Sequence, residues 1–134
     1  METTAQLSSQ LPDVYAADCP TRQMLDRISD KWTPLIIGLL EGGPQRFSEL
    51  QHTIGGISHK MLSQTLRSLQ RDGLVSRTVF PEPPLRVEYK LTPLGETLCA
   101  PMTAIVRWSV EHINEVMTAQ TQYDSRKETA LSDG

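Results

Sequence analysis

One twenty-residue stretch, GISHKMLSQTLRSLQRDGLV (residues 56–75), constrains the fold more than any other part of this chain. Leucines recur in it at the spacing of one helical face, at Leu62, Leu66 and Leu69. Ser58 precedes them as an N-cap residue, and Gly73 follows as a helix stop. The opposite face carries three cations and an amide, within about 60° of one another at ~100° per residue: Lys60, Gln64, Arg67 and Arg71. The stretch therefore predicts a helix that is buried on one face and cationic on the other.

Three helices are predicted before this one. Pro20 stands in the first turn of the first helix, whose inward residues are expected to be Met24, Leu25 and Ile28. Asp30 caps the second helix, which the sequence Gly42-Gly43-Pro44 ends. The third helix covers roughly residues 47–54, and the tight turn of residues 55–57 joins it to the cationic helix.

A β-hairpin is predicted after Gly73. Residues 74–80 have strand character, and RVEYKL (residues 86–91) alternates between apolar and polar positions. The sequence PEPP (residues 81–84) must be an exposed loop, because proline cannot donate a ladder hydrogen bond. Helix, tight turn, helix and hairpin follow one another as in a winged helix-turn-helix. The predicted fold class is therefore mainly α with a small β-hairpin wing (α+β).

A long last helix completes the predicted elements. It begins at Thr92-Pro93 and is expected to reach about Met117, with Pro101 kinking or splitting it because proline removes a helical hydrogen bond. Polar, aperiodic segments lie at both ends of the chain. The predicted division is a flexible tail over residues 1–14, the DNA-binding and dimerisation domain over 15–117, and a flexible tail over 118–134.

Composition limits the class of protein. A chain of 134 residues with 38% hydrophobic content is typical of one soluble domain. No apolar run approaches the ~20 residues of a membrane span, and no secretion signal is recognised, so we expect a cytoplasmic protein. No Cys/His spacing suits a metal, and we predict neither a metal nor a cofactor. The net charge is −3, yet residues 43–92 hold seven basic and four acidic side chains, which permits an anionic partner at the centre.

Double-stranded DNA is the partner that these features predict. The cationic helix can enter a major groove about 12 Å wide, where Gln64 can pair with adenine and Lys60 or Arg67 with guanine or phosphate. Arg86, at the base of the proline loop, is placed to reach the backbone or minor groove, and Arg46 a neighbouring phosphate. The predicted DNA-binding residues are Arg46, Ser58, His59, Lys60, Ser63, Gln64, Arg67 and Arg86. The alternative for this stripe is a solvated helix face without a ligand.

The stretch from Asp18 to Trp108 also resembles the HxlR-type transcriptional regulators, relatives of the MarR group. The most specific matching pieces are Cys19-Pro20, Lys31-Trp32, RFSEL, GISHKMLSQTLRSL, DGLV, PPLRVEYKLT and LG. The resemblance implies a homodimeric winged-helix repressor or activator that binds a pseudo-palindromic operator. It also implies redox sensing, since several members sense electrophiles or oxidants through a cysteine at the position that matches Cys19.

The two cysteines, Cys19 and Cys99, have different expected roles. Cys19 lies just before Pro20, near an N-cap where the helix dipole favours the thiolate; Asp18 opposes this and Arg22 supports it. Cys19 is accordingly the predicted redox-sensing residue, with a small electrophile or oxidant as its partner, and a plain helix-start residue is the alternative. Cys99 is expected to be a small buried hydrophobe.

The last helix has more apolar surface than one neighbour can cover. Its predicted dimerisation residues are Leu94, Leu98, Met102, Ile105, Ile113 and Val116. Because so wide an exposed stripe is a liability on a monomer, we predict a homodimer formed through the terminal helices. A monomer with the stripe folded over its own core is the alternative.

Two other function classes compete with a DNA-binding regulator. The net negative charge would suit a winged-helix protein-interaction module that does not bind DNA. A cysteine-nucleophile enzyme would need a histidine partner for Cys19, and none of the three histidines is placed for that role: His52, His59 and His112. We therefore predict that the protein is not an enzyme.

Overall fold

Our computed structural model describes residues 13–133, with side chains to Thr129. This part of the chain contains five helices and three strands, joined by turns and loops. Most of the predicted N-terminal tail, residues 1–12, lies outside this range. The helices are α1 (Pro20–Ile28), α2 (Thr33–Glu41), α3 (Phe47–Thr53), α4 (His59–Arg71) and α5 (Pro93–Asp133). The strands are β1 (Gln45–Arg46), β2 (Val75–Phe80) and β3 (Arg86–Leu91). None of the described helices is both long and apolar enough to cross a bilayer.

The core lies where α2, α3 and α4 meet. Fully buried aliphatic side chains dominate it: Ile36, Ile37, Leu50, Leu62, Leu66 and Leu69. The leucine stripe of α4 therefore packs inward, as predicted. The N-cap residue of α2 is Trp32, so the predicted cap by Asp30 is wrong. Asp30 instead accepts a hydrogen bond from the backbone N–H of Trp32 (3.2 Å) just before the helix, and the Trp32 ring is buried in the same core.

The sheet has three strands in the order β1-β3-β2, all antiparallel, where the sequence predicted a two-stranded hairpin. The additional strand, β1, pairs Gln45 with Tyr89 and Arg46 with Glu88. A two-residue strand is too short to show any periodicity, so its pairing arises only when the chain is folded. The mainly α class with a hairpin wing is confirmed, and the prediction of two strands is wrong.

Helix α5 differs most from its prediction. It continues past Met117 to Asp133, so the end predicted near Met117 is wrong and residues 118–133 are helical. No glycine or proline occurs between Met102 and Asp133, so no residue with a strong preference against helix interrupts it. The helix also remains unbroken through Pro101, so the predicted splitting does not occur.

Helix α1 packs more loosely than predicted. None of its residues is buried, and Leu25, which the sequence placed inward, is 48% exposed. Met24 and Ile28 are half-buried against the core. A short helix with nine residues covers only part of its apolar side with one neighbour, and the rest of that side stays open.

Candidate nucleic-acid interface

Helix α4 is held rigidly by contacts at its start and along its inner face. The hydroxyl of Ser58 accepts a hydrogen bond from the backbone N–H of Met61 (3.1 Å), which confirms the predicted N-cap. Inside the helix, the hydroxyl of buried Thr65 donates to the carbonyl of Met61 (2.8 Å). Lys60, Gln64 and Arg67 lie exposed on the opposite face. A well-anchored helix with a polar outer face is what groove recognition requires.

The turn between α3 and α4 sets the angle of the two helices. Ile54 and Ile57 are both buried at its ends, so the turn is anchored on either side. Between them Gly56 has φ +81°, in the left-handed region that residues with a Cβ rarely adopt. The glycine therefore lets α3 turn tightly into α4.

His59 is tied to neighbouring residues as well as exposed. Its ring lies 4.6 Å from the ring of Phe47, measured between centroids, and its Nδ1 lies 3.5 Å from the hydroxyl of Ser63. These contacts orient the imidazole across the start of α4 and link it to α3. Ser63 is half-buried beside it.

The wing places two arginines together. The guanidinium of Arg86 stacks over the Phe80 ring at 4.2 Å, and its Nε lies 3.7 Å from a carboxylate oxygen of Glu88. Because β1 pairs with β3, Arg46 stands opposite Glu88. Both arginines line one small cavity of 160 Å³ under the Pro83-Pro84 loop. The sheet thus carries a pair of cations, Arg46 on β1 and Arg86 on the wing, beside the start of α3.

Six of the eight predicted DNA-binding residues are exposed: Arg46, Ser58, His59, Lys60, Gln64 and Arg67. Ser63 and Arg86 are half-buried. The sequence did not identify three residues that position these side chains: Phe47 beside His59, and Phe80 and Glu88 beside Arg86. Strand alternation already placed Glu88 on the same face as Arg86, and that signal could have found it. No sequence signal marks the pairing of Arg46 with Glu88 or the stacking of Phe47 on His59.

The predicted dimerisation residues divide into three groups by exposure. Leu94, Ile105 and Ile113 are exposed, and Leu98 and Val116 are half-buried. Met102 is instead buried in the core of its own chain, which leaves little of its side chain available for a dimer interface. It lies in the stretch of α5 that packs on α2, which anchors the helix. From Thr103 onward the described part of α5 is almost entirely exposed.

The two cysteines are both free thiols and both buried. Cys99, 8% exposed, belongs to the core, as predicted; burial and the charges of Glu41 and Glu96 raise the pKa of its thiol. Cys19 is the N-cap residue of α1 and is 7% exposed, but it lies outside the main core cluster. The Arg22 guanidinium donates to the carbonyl of Tyr15 (2.9 Å), which holds the preceding segment against α1. No cluster of three metal-ligating side chains occurs in residues 13–129, over which the side chains are described.

Comparison with known proteins identifies the family. The HxlR-like helix-turn-helix family matches residues 27–117, which include α2 to α4, the wing and the first half of α5. This chain belongs to the HxlR-like helix-turn-helix family. It is a winged helix-turn-helix transcriptional regulator, structurally similar to MarR-type proteins, and not an enzyme.

Individual HxlR relatives agree with this assignment. The HTH-type transcriptional regulator YtfH of Escherichia coli (strain K12) is 39% identical over 118 residues, which are 87% of this chain and 94% of YtfH. The structure of the transcriptional regulator ytfH from Salmonella typhimurium superposes with a TM-score of 0.76 at 36% identity, over 82% of this chain and 98% of that one. The redox regulator HypR in its oxidised form gives a TM-score of 0.65 at 34% identity, over 69% and 96%.

Proposed function

We propose that this regulator binds a pseudo-palindromic operator as a homodimer, with one α4 in each of two major grooves. The observation that carries the proposal is the geometry of α4, whose leucine face is buried while Lys60, Gln64 and Arg67 face solvent. Gln64 reads bases through its amide, and the cations contact phosphate or guanine. Arg46 and Arg86 add backbone contacts from the wing.

The homodimer is supported by large apolar side chains that are exposed to solvent in the single chain. Along α5, large exposed residues recur: Ile105, Val106, Trp108, Val110, Ile113 and Met117. Leu25 of α1 is exposed as well. A second copy that packs its own α5 and α1 on this surface would remove it from water, with a hydrophobic stabilisation of roughly 25 cal/mol per Å² buried.

Redox control through Cys19 is the finer part of the proposal. The thiol sits at the N-terminal end of α1 and lies outside the main core. An oxidant or small electrophile reaches it when the segment held by Arg22 opens. Modification of the sulfur prevents that segment from closing and shifts α1, which in the homodimer lies against the partner. The relative HypR is a redox regulator, which supports redox control in this protein.

A gel-shift titration with salt tests DNA binding. Operator DNA and an unrelated duplex are compared from about 50 to 200 mM salt, and affinity should fall steeply as counterions are released. Lys60→Ala should flatten the slope, while Lys127→Ala, at an exposed position near the end of α5, should leave it unchanged. A protein-interaction module without DNA binding would show no salt-dependent shift with either duplex.

A further inference from the structure

A cavity of 340 Å³ opens where α2, β3 and α5 meet, and none of the predicted DNA contacts lines it. Its floor is apolar and consists of Leu40, Leu91 and Cys99, all buried. The volume is at the lower end of the range for small-molecule sites. The only polar group of the floor side chains is the Cys99 thiol, which makes one weak contact with the carbonyl of Gly95 at 3.9 Å.

The rim of this cavity is charged. Glu41 and Glu96 contribute two carboxylates and Lys90 one ammonium, and all three residues are exposed. Among the side chains described, residues 13–129, the ion pairs are Arg27 with Asp72 and Arg86 with Glu88, and no rim residue takes part in either. The rim therefore has a net charge of −1 that no neighbouring side chain in this range neutralises by a direct ion pair.

The carboxylates of Glu41 and Glu96 also affect the thiol of Cys99 on the floor of the cavity. Their negative charge, added to burial, raises the pKa of the Cys99 thiol. The thiol is thus kept neutral at physiological pH and is a poor nucleophile. An occupant of the cavity is accordingly held by contact and charge rather than by a covalent bond to Cys99.

We propose that this cavity binds a small organic cation, an ammonium group on an apolar body. The apolar body packs on Leu40, Leu91 and Cys99, and the ammonium lies between Glu41 and Glu96. A positive ligand suits a rim with two carboxylates and one ammonium better than a neutral or negative ligand does. Because the occupant touches the wing strand β3 and the helix α5, it is positioned to act as an effector, and this consequence rests on the proposed function.

Calorimetric titration of the full chain tests the site directly, without DNA. The probes are benzylamine, benzyl alcohol and benzoate, which share an apolar ring and differ in charge. We expect benzylamine to bind most tightly, Glu41→Gln and Glu96→Gln each to weaken it about two- to fivefold, and the double variant about tenfold. Glu128→Gln removes an exposed carboxylate far along α5 and should leave the affinity unchanged. Benzylamine should shift backbone amide NMR signals at Gly43, Leu91 and Glu96.

The proposal is overturned if benzyl alcohol or benzoate binds as tightly as benzylamine, or if the double variant keeps the wild-type affinity for benzylamine. NMR shifts that map away from the cavity would also overturn it. Operator affinity at saturating benzylamine is measured separately, in wild type and in the double variant. A change in wild type alone supports the effector role, whereas no change refutes that role and does not affect the binding result.

Discussion

At the scale of single residues, the cations of the interface differ in how far their side chains are already ordered. Arg86 stacks on Phe80 and lies beside Glu88, while Lys60 and Arg67 take part in no ion pair with the side chains of residues 13–129. An ordered side chain loses less conformational entropy on binding. Arg86 is therefore pre-organised for one position, and the flexible cations of α4 adapt to phosphates at variable distance.

Replacing Gln64 by Ala should relax sequence preference at one base pair in each half-site. The exposed amide can make two hydrogen bonds to one adenine, and their loss should cost roughly 1–3 kcal/mol of discrimination. The measurement is the affinity for operators that carry each base at each position.

Lys60→Ala serves as the comparison for Gln64→Ala. We expect its ammonium to contact phosphate, which carries no sequence information, so binding to operator and to unrelated DNA should weaken alike. If Gln64→Ala weakens both kinds of DNA equally, or changes neither, then α4 does not read bases through this residue.

At the scale of elements, the start of α5 is held against the start of the wing. The backbone N–H of Thr92 donates to the carbonyl of Leu74 (3.1 Å), and the Thr92 hydroxyl accepts from the N–H of Gly95 (3.0 Å). A Cβ at Gly95 would overlap the Leu74 carbonyl oxygen. The glycine is therefore required for close approach, although the sequence shows it only as part of a family motif.

Gly95→Ala should destabilise the protein by about 1–3 kcal/mol, because the added methyl forces α5 away from Leu74. Gly38→Ala is the matched control, since Gly38 is also helical and a Cβ there meets no atom within 4 Å. It should raise stability by about 0.5–1 kcal/mol through helix propensity. Chemical denaturation of both variants measures the difference, and equal effects would refute the close approach.

At the scale of the whole molecule, DNA recognition depends on the placement of two α4 helices by one dimer interface. The exposed apolar residues of α5 extend well beyond the core, from Ile105 to Met117, with Tyr123 further on. A monomer gains little from so long a projecting helix. In a homodimer the projecting part of α5 would form the interface, and that interface would set the distance between the two α4 recognition helices.

The homodimer should bind half-sites whose centres lie ~10 base pairs apart or a multiple of that. Insertion of five base pairs turns one half-site by half a helical turn and should abolish high-affinity binding, whereas insertion of ten should restore part of it. Gel shifts with the three operators measure this, and sedimentation gives the oligomeric state. Tight operator binding by a monomer at micromolar concentration would contradict the homodimer.

Treatment with diamide or a quinone should change operator affinity in wild type and in Cys99→Ser, and a thiol reductant should reverse the diamide effect. Cys19→Ser should not respond, because the reactive thiol is at the start of α1. Cys99 is buried in the core with a raised thiol pKa, so it should react slowly and be unable to replace Cys19. A wild-type response from Cys19→Ser would exclude Cys19 as the sensor.

Local sequence patterns by themselves determined the helices α3 and α4 and the strands β2 and β3 of the DNA-binding region. The leucine spacing and the Ser58 cap appear in the structure as predicted, and the predicted alternation appears at residues 89–91, while residues 86–88 are all half-buried. Such signals depend on residues close in sequence, whose side chains repeat with the period of their own helix or strand. The cationic face of α4 could be predicted for the same reason.

Tertiary structure alone decided the features that join distant segments. Strand β1 exists only because β3 lies beside it, and the same pairing brings Arg46 opposite Glu88. The burial of Met102 and Cys19 depends on which segments fold over them, and the cavity at Cys99 on the meeting of three elements. The period of a local sequence pattern carries no information about such contacts, because they join segments that are far apart in sequence and become neighbours only when the chain folds.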